Sequence, residues 1–487
     1  MAFGEANAYS GGVNTPSRMG TGRIALLTSY WVALGYLWLP LGSFVLPLLI
    51  LHAVGDAHKG AGVAILEGVG TIIAVFWQPV VGAVSDRTNS RFGRRKPFIF
   101  AGTLGSMVFL GLMILTPSGQ SSASGAAVFL APAYIYLFVL YFLLQVSENA
   151  AQAPYQGLLP DVVPESQRSR ASGFVGGGNL LGLALGFGIV GTFTGQHRFD
   201  LALLSMILVL GIAMTIVLTQ FPDRVKPDPG LRMGFREVVV GTFMISPKKH
   251  ADFIWLMVSR LAILVSIAGL QRYAIFYFKD VFYPGHSQHL EDLAALAARD
   301  LQVVIVLVAF LASVPSAEIS QRVGRKPLVL LAAALGVVGT LGLLLSPYHV
   351  LPAAMTGFVA TALNLPTNLA QALYFGILIG ISAGAFLSVD WAFLMDVIPA
   401  DEAGRFLGFS NVATAGSGVI AGFVGGFLID AFNGRGQVFG QPGGYPVTFL
   451  VYIVSFVLGG LAILKVRETR GRRGAARPAP GVAARPG

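Results

Sequence analysis

The sequence predicts an all-α membrane protein with twelve transmembrane helices in two pseudo-symmetric six-helix bundles, and three observations support this fold class. The first is composition: of 487 residues, 54% are hydrophobic and 11% are charged. A soluble domain carries roughly 25% charged residues to cover its surface, so most of this chain cannot face water. The second observation is a series of long apolar stretches, and the third is an internal repeat.

The apolar stretches determine the number of helices, because a bilayer core of about 30 Å needs roughly 20 apolar residues per helix. Twelve predicted spans reach this length, at residues 24–51, 62–85, 97–116, 128–159, 171–194, 200–220, 251–278, 301–320, 327–346, 371–398, 405–430 and 446–466. One more apolar piece, 350–363, is too short to span and is bracketed by Pro352 and Pro366. It predicts an outer loop or a re-entrant turn.

Five segments follow from these spans. We expect an N-terminal tail, a six-helix bundle, a linker, a second six-helix bundle and a basic tail, at residues 1–23, 24–220, 221–250, 251–466 and 467–487. Lysine and arginine counts predict the orientation, because loops rich in these residues stay in the cytoplasm. Of the 33 lysines and arginines, 26 lie on the side of the tails and the linker, and five lie on the other side. Both termini and the linker are therefore expected in the cytoplasm.

The same charge pattern bears on partners. A net charge of +10 suggests nucleic acid in a soluble protein, but here the positive charge follows the predicted membrane topology. We therefore predict no nucleic-acid partner. The chain is expected to be a monomer in contact with lipid in the plasma (cytoplasmic) membrane.

The internal repeat relates the two halves of the chain. Leu-Pro-Asp-Val-Val-Pro at 159–164 recurs 235 residues later as Leu-Met-Asp-Val-Ile-Pro at 394–399. A second pair of motifs, Gly-Arg-Arg-Lys-Pro at 93–97 and Gly-Arg-Lys-Pro at 324–327, has an offset of 231 at its glycine. Two parallel six-helix halves are the plan of transporters that rock around a central site.

Motifs for other chemistry are absent from the sequence. It has no cysteine, its seven histidines lack metal-ligand spacing, and no phosphate-binding glycine loop ends in Lys-Ser or Lys-Thr. An enzyme or an ATP-driven pump would need such groups. We therefore predict that the chain is not an enzyme and holds no metal or cofactor beyond a coupling ion, H⁺ or Na⁺.

Two stretches of the first half resemble a known family. Gly82–Arg87 followed by Arg91–Pro97 is similar to the loop between helices 2 and 3 of the major facilitator superfamily. The extra residues Thr88–Arg91 match the glycoside–pentoside–hexuronide:cation symporters and the plant sucrose–proton symporters. Val146–Pro154 and Leu158–Asp161 in helix 4 resemble the sucrose-symporter pattern. The resemblance implies the major facilitator fold and cation-coupled transport of a sugar.

Ionisable residues inside spans are candidates for ion coupling, because such charges are costly and normally face a cavity. Where the sucrose symporters keep a proton-binding aspartate, this chain has Gln145, and Glu148 lies nearly one helical turn further on. Glu148 and Arg260 are predicted at similar depth in opposite halves, where each would neutralise the other. Two interpretations stay open: Glu148 has a transport role as the proton or cation site, or Glu148 and Arg260 form a permanent structural ion pair. Asp390 is the next candidate acid.

Polar side chains on helix 4 predict a hydrophilic solute, because residues 145, 149 and 152 share one helical face. The predicted substrate and cation site comprises Glu148, Gln145, Asn149, Gln152, Arg260, Gln271 and Asp390. Glu67 and Arg272 lie near the outer ends of their helices and are expected to be solvated.

Charged residues at the cytoplasmic helix ends predict a gate. Its members are Asp86, Arg87, Arg91, Arg94, Arg95, Asp161, Arg170, Asp396 and Arg405. Asp161 is expected to pair with Arg170, and Asp396 with Arg405, and these pairs would hold the gate closed in the outward-open state. The positive-inside rule alone explains the arginines but not their repeated acidic partners.

The leading functional prediction is a secondary active transporter that moves a small polar solute, a sugar or glycoside, by alternating access coupled to a proton or Na⁺. One alternative is an exporter of drugs or metabolites with the same fold, whose pocket would be more apolar. An alternative from another class is a membrane-embedded enzyme or pigment-handling protein, which would need a nucleophile, metal cluster or cofactor site. A channel is a third option, but two non-identical halves without a repeated filter segment disfavour it.

Overall fold

The computed structural model describes residues 18–117, 125–221, 223, 249–363, 365–398 and 403–467. Within these ranges, twelve helices are long and apolar enough to cross a membrane, as the sequence predicts. Most of the predicted linker and most of both tails lie outside the described residues, so their predicted boundaries remain predictions.

The spanning helices are numbered in chain order. The first six are α1 (Thr21–Val54), α2 (Lys59–Arg87), α3 (Lys96–Met113), α4 (Pro132–Val162), α5 (Arg168–Thr194) and α6 (Phe199–Gln220). The second six are α7 (Ala251–Arg272), α8 (Gln288–Val323), α9 (Arg325–Leu345), α10 (Thr367–Val397), α11 (Ala403–Asn433) and α12 (Gly444–Leu464). A short antiparallel pair, β1 (Gln437–Val438) and β2 (Gln441–Pro442), connects α11 to α12.

The two ends of the bundle are named by their connections. The basic end contains the turns between α2 and α3 (88–95) and between α4 and α5 (163–167). The distal end contains the turns at 55–58, 195–198 and 273–287. Below, the first half means α1–α6 and the second half means α7–α12.

The repeat is visible in the backbone. Gly93 and Gly324, the equivalent glycines of the two basic-end motifs, both have positive φ, at 100° and 110°. Only glycine adopts this conformation without strain. Each glycine ends a turn or helix just before the next spanning helix begins, so the motif makes the same local structure in both halves.

Close helix packing follows the glycine stripe of α5. A Cβ at Gly182 would lie 2.0 Å from the carbonyl oxygen of Val32 in α1, and a Cβ at Gly35 would lie 2.2 Å from that of Asn179. Small residues let helix backbones approach closely in lipid. The stripe therefore packs α5 on α1 within the first half.

Two helices of the distal end are irregular. In α1 the turn at Leu41–Val45, which follows Pro40, is π-helical. In the second half, α7 ends at Arg272 and continues as a short helix at Ala274–Tyr277 and a π-helical turn at Phe278–Phe282. The π-helical turn of α1 contacts both α7 and the short helix. Such π turns are frequent at functional sites, and these lie where the two halves meet.

The apolar piece near residue 350 differs from its prediction. It forms a helix, Ala353–Leu363, at the distal end, and this helix packs against α10. The side chain of Gln371 anchors the preceding loop, because its Oε1 accepts the backbone N–H groups of Val350 (2.9 Å) and Leu351 (2.6 Å). The segment is thus an outer helix that is too short to span.

Candidate functional site

Three acidic side chains are buried within the spanning helices. Glu67 of α2, Glu148 of α4 and Asp390 of α10 are each exposed by 5% or less. In each, one carboxyl oxygen has no hydrogen-bond partner among the described residues. Because burying a charged or unsatisfied polar group is costly, these acids are the strongest candidates for a functional role.

Among the described residues, the Glu148 carboxyl group is held by a tyrosine hydroxyl and by no cation. Its Oε1 accepts the Tyr30 hydroxyl from α1 at 2.8 Å. That hydroxyl also lies 2.6 Å from the Thr103 hydroxyl of α3. All three helices belong to the first half. The arrangement suits a carboxyl group that binds and releases a proton, because the ionised form lacks the compensating positive charge it would need.

The hypothesis that Glu148 and Arg260 neutralise one another is wrong in this conformation. The Nη1 of Arg260 pairs with Asp390 Oδ2, so α7 is paired with α10 inside the second half. Its Nε and Nη2 donate to the Thr414 hydroxyl of α11 at 3.2 and 3.1 Å. The Trp391 ring lies 6.0 Å from the guanidinium carbon. Arg260 is therefore paired within the second half and not with Glu148.

The predicted polar face of α4 exists and is partly self-bonded. Asn149 Nδ2 donates to the backbone oxygen of Gln145 at 2.7 Å and to its Oε1 at 3.0 Å. Gln145 in turn donates to the Tyr141 hydroxyl at 2.8 Å. Gln145 and Asn149 are buried, whereas Gln152 is half-buried. In the second half, the half-buried Gln271 accepts a side-chain hydrogen bond at its backbone oxygen.

Glu67 and Arg272 are not solvated end charges. Arg272 Nε lies 2.5 Å from Glu67 Oε2, and its Nη1 donates to the Gly418 carbonyl at 2.5 Å. Glu67 is 5% exposed. The prediction failed because it judged depth from helix ends, whereas α1 and α11 cover both groups. This ion pair joins α2 of the first half to α7 of the second.

A lysine–aspartate cluster joins the halves at the distal end. Lys59 Nζ lies 2.9 Å from Asp56 and 2.6 Å from Asp280, while Lys279 Nζ lies 2.9 Å from Asp56. Burial raises the pKa of Asp56, but Lys59 and Lys279 lower it more, to about 2. Asp56 is therefore ionised at physiological pH.

Asp430 caps α2 from the opposite half. Its carboxylate accepts the backbone N–H groups of Gly60 at 2.9 Å and Ala61 at 2.6 Å. A negative charge at a helix N-terminus satisfies unpaired N–H groups and complements the helix dipole. Here α2 and α11 approach so closely that a Cβ at Gly60 would lie 2.3 Å from the Gly426 carbonyl oxygen.

The start of α8 adds a further distal contact. His52 Nε2 of α1 lies 2.9 Å from Glu291 Oε2, and Arg299 Nη1 donates to the Thr192 hydroxyl of α5 at 2.9 Å. A cavity of about 480 Å³ lies beside His52 and is lined in part by His197. The distal cluster, α2 cap and α8 contact together close this end.

At the basic end, ion pairs between described residues stay within the first half or within the second. Asp161 accepts Arg94 at 2.8 Å and Arg95 at 2.7 Å, and Arg95 also lies 3.0 Å from Asp86. Arg170, the expected partner of Asp161, is exposed. The expected pairing fails because the α2–α3 turn brings two buried arginines against α4.

The second half repeats the same pairing. Arg325 Nε lies 2.5 Å from Asp396 Oδ2, so the arginine after Gly324 meets Asp396 just as Arg94, after Gly93, meets Asp161. The expected pair of Asp396 with Arg405 stays a prediction, because the Arg405 side chain lies outside the described residues. Arg91 stacks on Phe92 at 4.6 Å. Arg87 lies at the last residue of α2, at the same end.

Among the described residues, the helices that join the two halves separate toward the basic end. In α5, Gly191 packs on the Arg299 side chain of α8, but at Gly177, four turns toward the basic end, a Cβ would meet no atom within 4 Å. In α11, a Cβ at Gly426 would lie 2.2 Å from the Gly60 carbonyl oxygen of α2, whereas a Cβ at Gly416, toward the basic end, would meet no atom within 4 Å. The structure is therefore closed at the distal end and open toward the basic end.

Sequence reasoning missed the distal contacts. Lys59, Asp280 and Asp430 did not appear among the candidate residues, nor did Tyr30 as the partner of Glu148. One signal was available: charges of both signs flank the ends of adjacent spans, at Asp56 and Lys59 before α2 and again at positions 279 and 280 after α7. Opposite charges at matched depth in two halves are typical of a contact between them.

A family model, Major Facilitator Superfamily, matches residues 32–349. Among curated relatives, the sucrose transport protein SUC4 of Arabidopsis thaliana is 32% identical over 36% of this chain and 35% of its own length. The general alpha-glucoside permease of Schizosaccharomyces pombe is 28% identical over 31% of this chain and 28% of its own length. The hexuronate transporter of Bacillus subtilis is 22% identical over 69% of this chain and 76% of its own. The matches to the first two relatives thus span about a third of each.

Solved structures have the same fold. The nucleoside transporter NupG superposes with a TM-score of 0.61 at 13% identity, covering 91% of this chain and 99% of NupG. The xylose transporter XylE from E. coli, in its inward open conformation, superposes with a TM-score of 0.60 at 15% identity, covering 93% and 97%. These similarities confirm twelve helices in two six-helix bundles.

Proposed function

This chain belongs to the Major Facilitator Superfamily and is a membrane transporter, not an enzyme, and we propose that it moves a saccharide by alternating access coupled to a proton. The observation that carries this proposal is Glu148, a fully buried carboxyl group beside Asn149 in α4 whose hydrogen-bond partner among the described residues is the Tyr30 hydroxyl. The proposal has two parts, the identity of the solute and the identity of the coupling ion, and each is supported by different residues of that region.

The saccharide is supported by the polar face and by the relatives. Gln145 and Asn149 place amide groups in the first-half bundle, and amides both donate to and accept from sugar hydroxyls. Gln152, half-buried on the same face, extends it toward the open end. Relatives that match parts of this chain are named for sucrose, alpha-glucosides and hexuronates. A drug exporter would have a more apolar lining.

The proton is favoured over Na⁺ by the surroundings of Glu148. A proton needs a single carboxyl oxygen, whereas a metal cation needs several oxygen ligands around it. The described partner of Glu148 Oε1 is one hydroxyl, that of Tyr30, and Oε2 is buried without a partner. A protonated Glu148 would be neutral in the bundle, and its release of the proton would be tied to water entering from an open end.

The test of this proposal is transport by the purified chain in proteoliposomes. We expect uptake of a labelled disaccharide such as sucrose or maltose that depends on an inward pH gradient and is unchanged by a Na⁺ gradient. Glu148→Gln keeps the shape and the hydrogen bond from Tyr30 but cannot release a proton. It should abolish accumulation against the gradient while retaining exchange of labelled for unlabelled solute.

A matched control is Glu318→Gln, which changes an exposed acid of α8 and should leave accumulation unchanged. Wild-type accumulation ratios in Glu148→Gln would contradict the proposed coupling role and make Asp390 the next candidate. Uptake driven by Na⁺ alone would replace the proton by Na⁺. Uptake of no saccharide would contradict the solute class.

We also propose that the basic end faces the cytoplasm, because of the 26-to-five distribution of lysines and arginines. The chain would then be a plasma-membrane monomer with both termini inside. Single-cysteine labelling tests this cleanly, since the chain has no cysteine. A cysteine at Ser246, in the linker outside the described residues, should resist an impermeant maleimide added to intact cells. Labelling of that cysteine from outside would reverse the orientation.

A further inference from the structure

We infer that the Glu67–Arg272 ion pair is a latch between the two halves that holds the distal end closed, so that both are positioning residues for alternating access. The inference rests on the proposed function, in that alternating access requires the distal end to open. Three observations support it: the two side chains pair across the halves, they lie deep in the bundle, and each is packed against its own half.

The partner distinguishes Glu67 from the other two buried acids. Glu148 is bonded to α1 of its own half, and Asp390 is paired with Arg260 of its own half. Those contacts persist when the halves move as rigid bodies. Glu67 pairs with Arg272 across the halves, at 2.5 Å, and this contact cannot survive when α2 and α7 separate.

The depth makes separation costly. Glu67 lies eight residues beyond Lys59 along α2, about 12 Å at 1.5 Å per residue, and is 5% exposed. Opening the distal cluster around Lys59 exposes its charges to water at once. Opening at Glu67 leaves two charges unpaired until water or solute reaches them, and an unpaired buried charge is far more costly than a solvated one.

Arg272 and Glu67 are each fixed to their own half. Arg272 donates to the carbonyl of Gly418 in α11, and a Cβ at Gly422 would lie 2.9 Å from its Nη1. On the other side, a Cβ at Gly42, in the π-helical turn of α1, would lie 2.7 Å from Glu67 Oε1. Each side chain is thus packed against a helix of its own half. The pair therefore transmits a separation of the halves directly into a broken ion pair.

The experiment measures which end is open. A cysteine at Ala61, which is 4% exposed at the α2–α11 contact, reports distal opening. A cysteine at Gly177, which has open space in this conformation, reports opening of the basic end. In each background, we would measure the rate of modification by an impermeant maleimide in proteoliposomes of known orientation.

Glu67→Gln and Arg272→Gln should each raise labelling at residue 61 about tenfold and lower labelling at residue 177, because each removes the ionic attraction that favours closure. The double variant should label residue 61 no more than either single one does, since the second substitution removes a charge that already lacks its partner. This non-additive result separates a latch from general loosening of the fold, in which the two effects would multiply.

The control is Asp200→Asn, which breaks an exposed ion pair with Arg198 at the same end but inside the first half. It should change neither labelling rate. Unchanged labelling at residue 61 in Glu67→Gln, or effects that multiply in the double variant, would overturn the latch. Sugar uptake that fails in the parent protein while the labelling shifts appear would instead overturn the proposed function alone.

Discussion

The distal and basic ends of this protein use the same kinds of side chain with opposite results. At the distal end, Lys59 of the first half reaches Asp280 of the second at 2.6 Å. At the basic end, Arg94 reaches Asp161 at 2.8 Å without leaving the first half. The repeat makes the basic-end arrangement occur twice, once in each half. Among the described residues of the distal end, by contrast, Lys59 pairs with Asp280 and Lys279 with Asp56 across the halves.

This difference separates two roles for ion pairs. A pair inside one half is present in every conformation that keeps the half intact, so it contributes to the stability of the fold. A pair between halves is present in one conformation and absent in the other, so it shifts the equilibrium between them. Substitutions at the two ends should therefore be distinguishable by what they change: folding at one end and access at the other.

The largest expected effect is steric and lies at the distal end. Gly60→Ala places a Cβ 2.3 Å from the Gly426 carbonyl oxygen, a distance at which the backbones of α2 and α11 must move apart. Overpacking of this kind costs about 1–3 kcal/mol, and the cost falls on the closed distal state alone. We expect cysteine labelling at residue 61 to rise about tenfold or more.

The matched control is Gly177→Ala in α5, where the added Cβ meets no atom within 4 Å. It should leave the labelling at residue 61 unchanged. An equal effect of the two substitutions would mean that helix propensity, rather than the contact between the halves, governs the labelling rate. It would contradict the steric explanation of the Gly60→Ala effect.

Much of the fold, but less of the site, is predictable from sequence. The fold depends on residues that are close in the sequence, whereas the site depends on contacts between residues that are far apart in it. Helix number depends on stretches of about 20 neighbouring residues, and the repeat shows directly in the motifs around Gly93 and Gly324. The polar face of α4 is likewise local, so Gln145 and Asn149 lie together as predicted. These features are set by residues within a few helical turns.

Partner choice is not local, and there the predictions failed. Arg260 pairs with Asp390 because α7 packs near α10 in the same half, a contact that depth alone does not reveal. Asp161 pairs with an arginine 67 positions earlier rather than with the nearby Arg170. Among the many charges at similar depth, only the packing of helices selects which two meet.

A second, smaller effect is expected from Asp430→Asn. It keeps an acceptor near the first turn of α2 but removes the negative charge that accepts the N–H groups of Gly60 and Ala61. A negative charge at a helix N-terminus stabilises it by about 0.3–1 kcal/mol, and by up to about 2 kcal/mol where it is partly buried, so we expect about a fivefold rise in labelling at residue 61. A fall in thermal stability with no change in labelling would show that the cap stabilises α2 in both conformations.

At the basic end, Asp86→Asn should lower the thermal stability of the protein slightly, because a pair inside one half stabilises the fold, while leaving solute affinity unchanged. Asp86 contacts Arg95 at 3.0 Å and lies far from the buried polar face of α4. Because this contact stays inside the first half, the labelling ratio of residues 61 and 177 should hardly move. Equilibrium binding that collapses while the rate of transport of bound solute stays normal would contradict this assignment.

The smallest effect is expected from Asp56→Asn, and its pH dependence is the informative part. Burial raises the pKa of Asp56, but Lys59 and Lys279 lower it to about 2. Its contribution to distal closure is therefore complete above about pH 4, and it is lost only as the pH falls from there toward the lowered pKa of about 2. Since Asp56 is partly exposed, we expect about a twofold rise in labelling at residue 61, by the same factor at about pH 5 and about pH 8.

A factor that disappears at about pH 5 would mean that Asp56 titrates in this range. If the parent protein responds to pH while the factor stays constant, the sensitive contact is elsewhere at this end. His52, 2.9 Å from Glu291 of the second half, is then the next residue to replace, because it also joins the halves at this end.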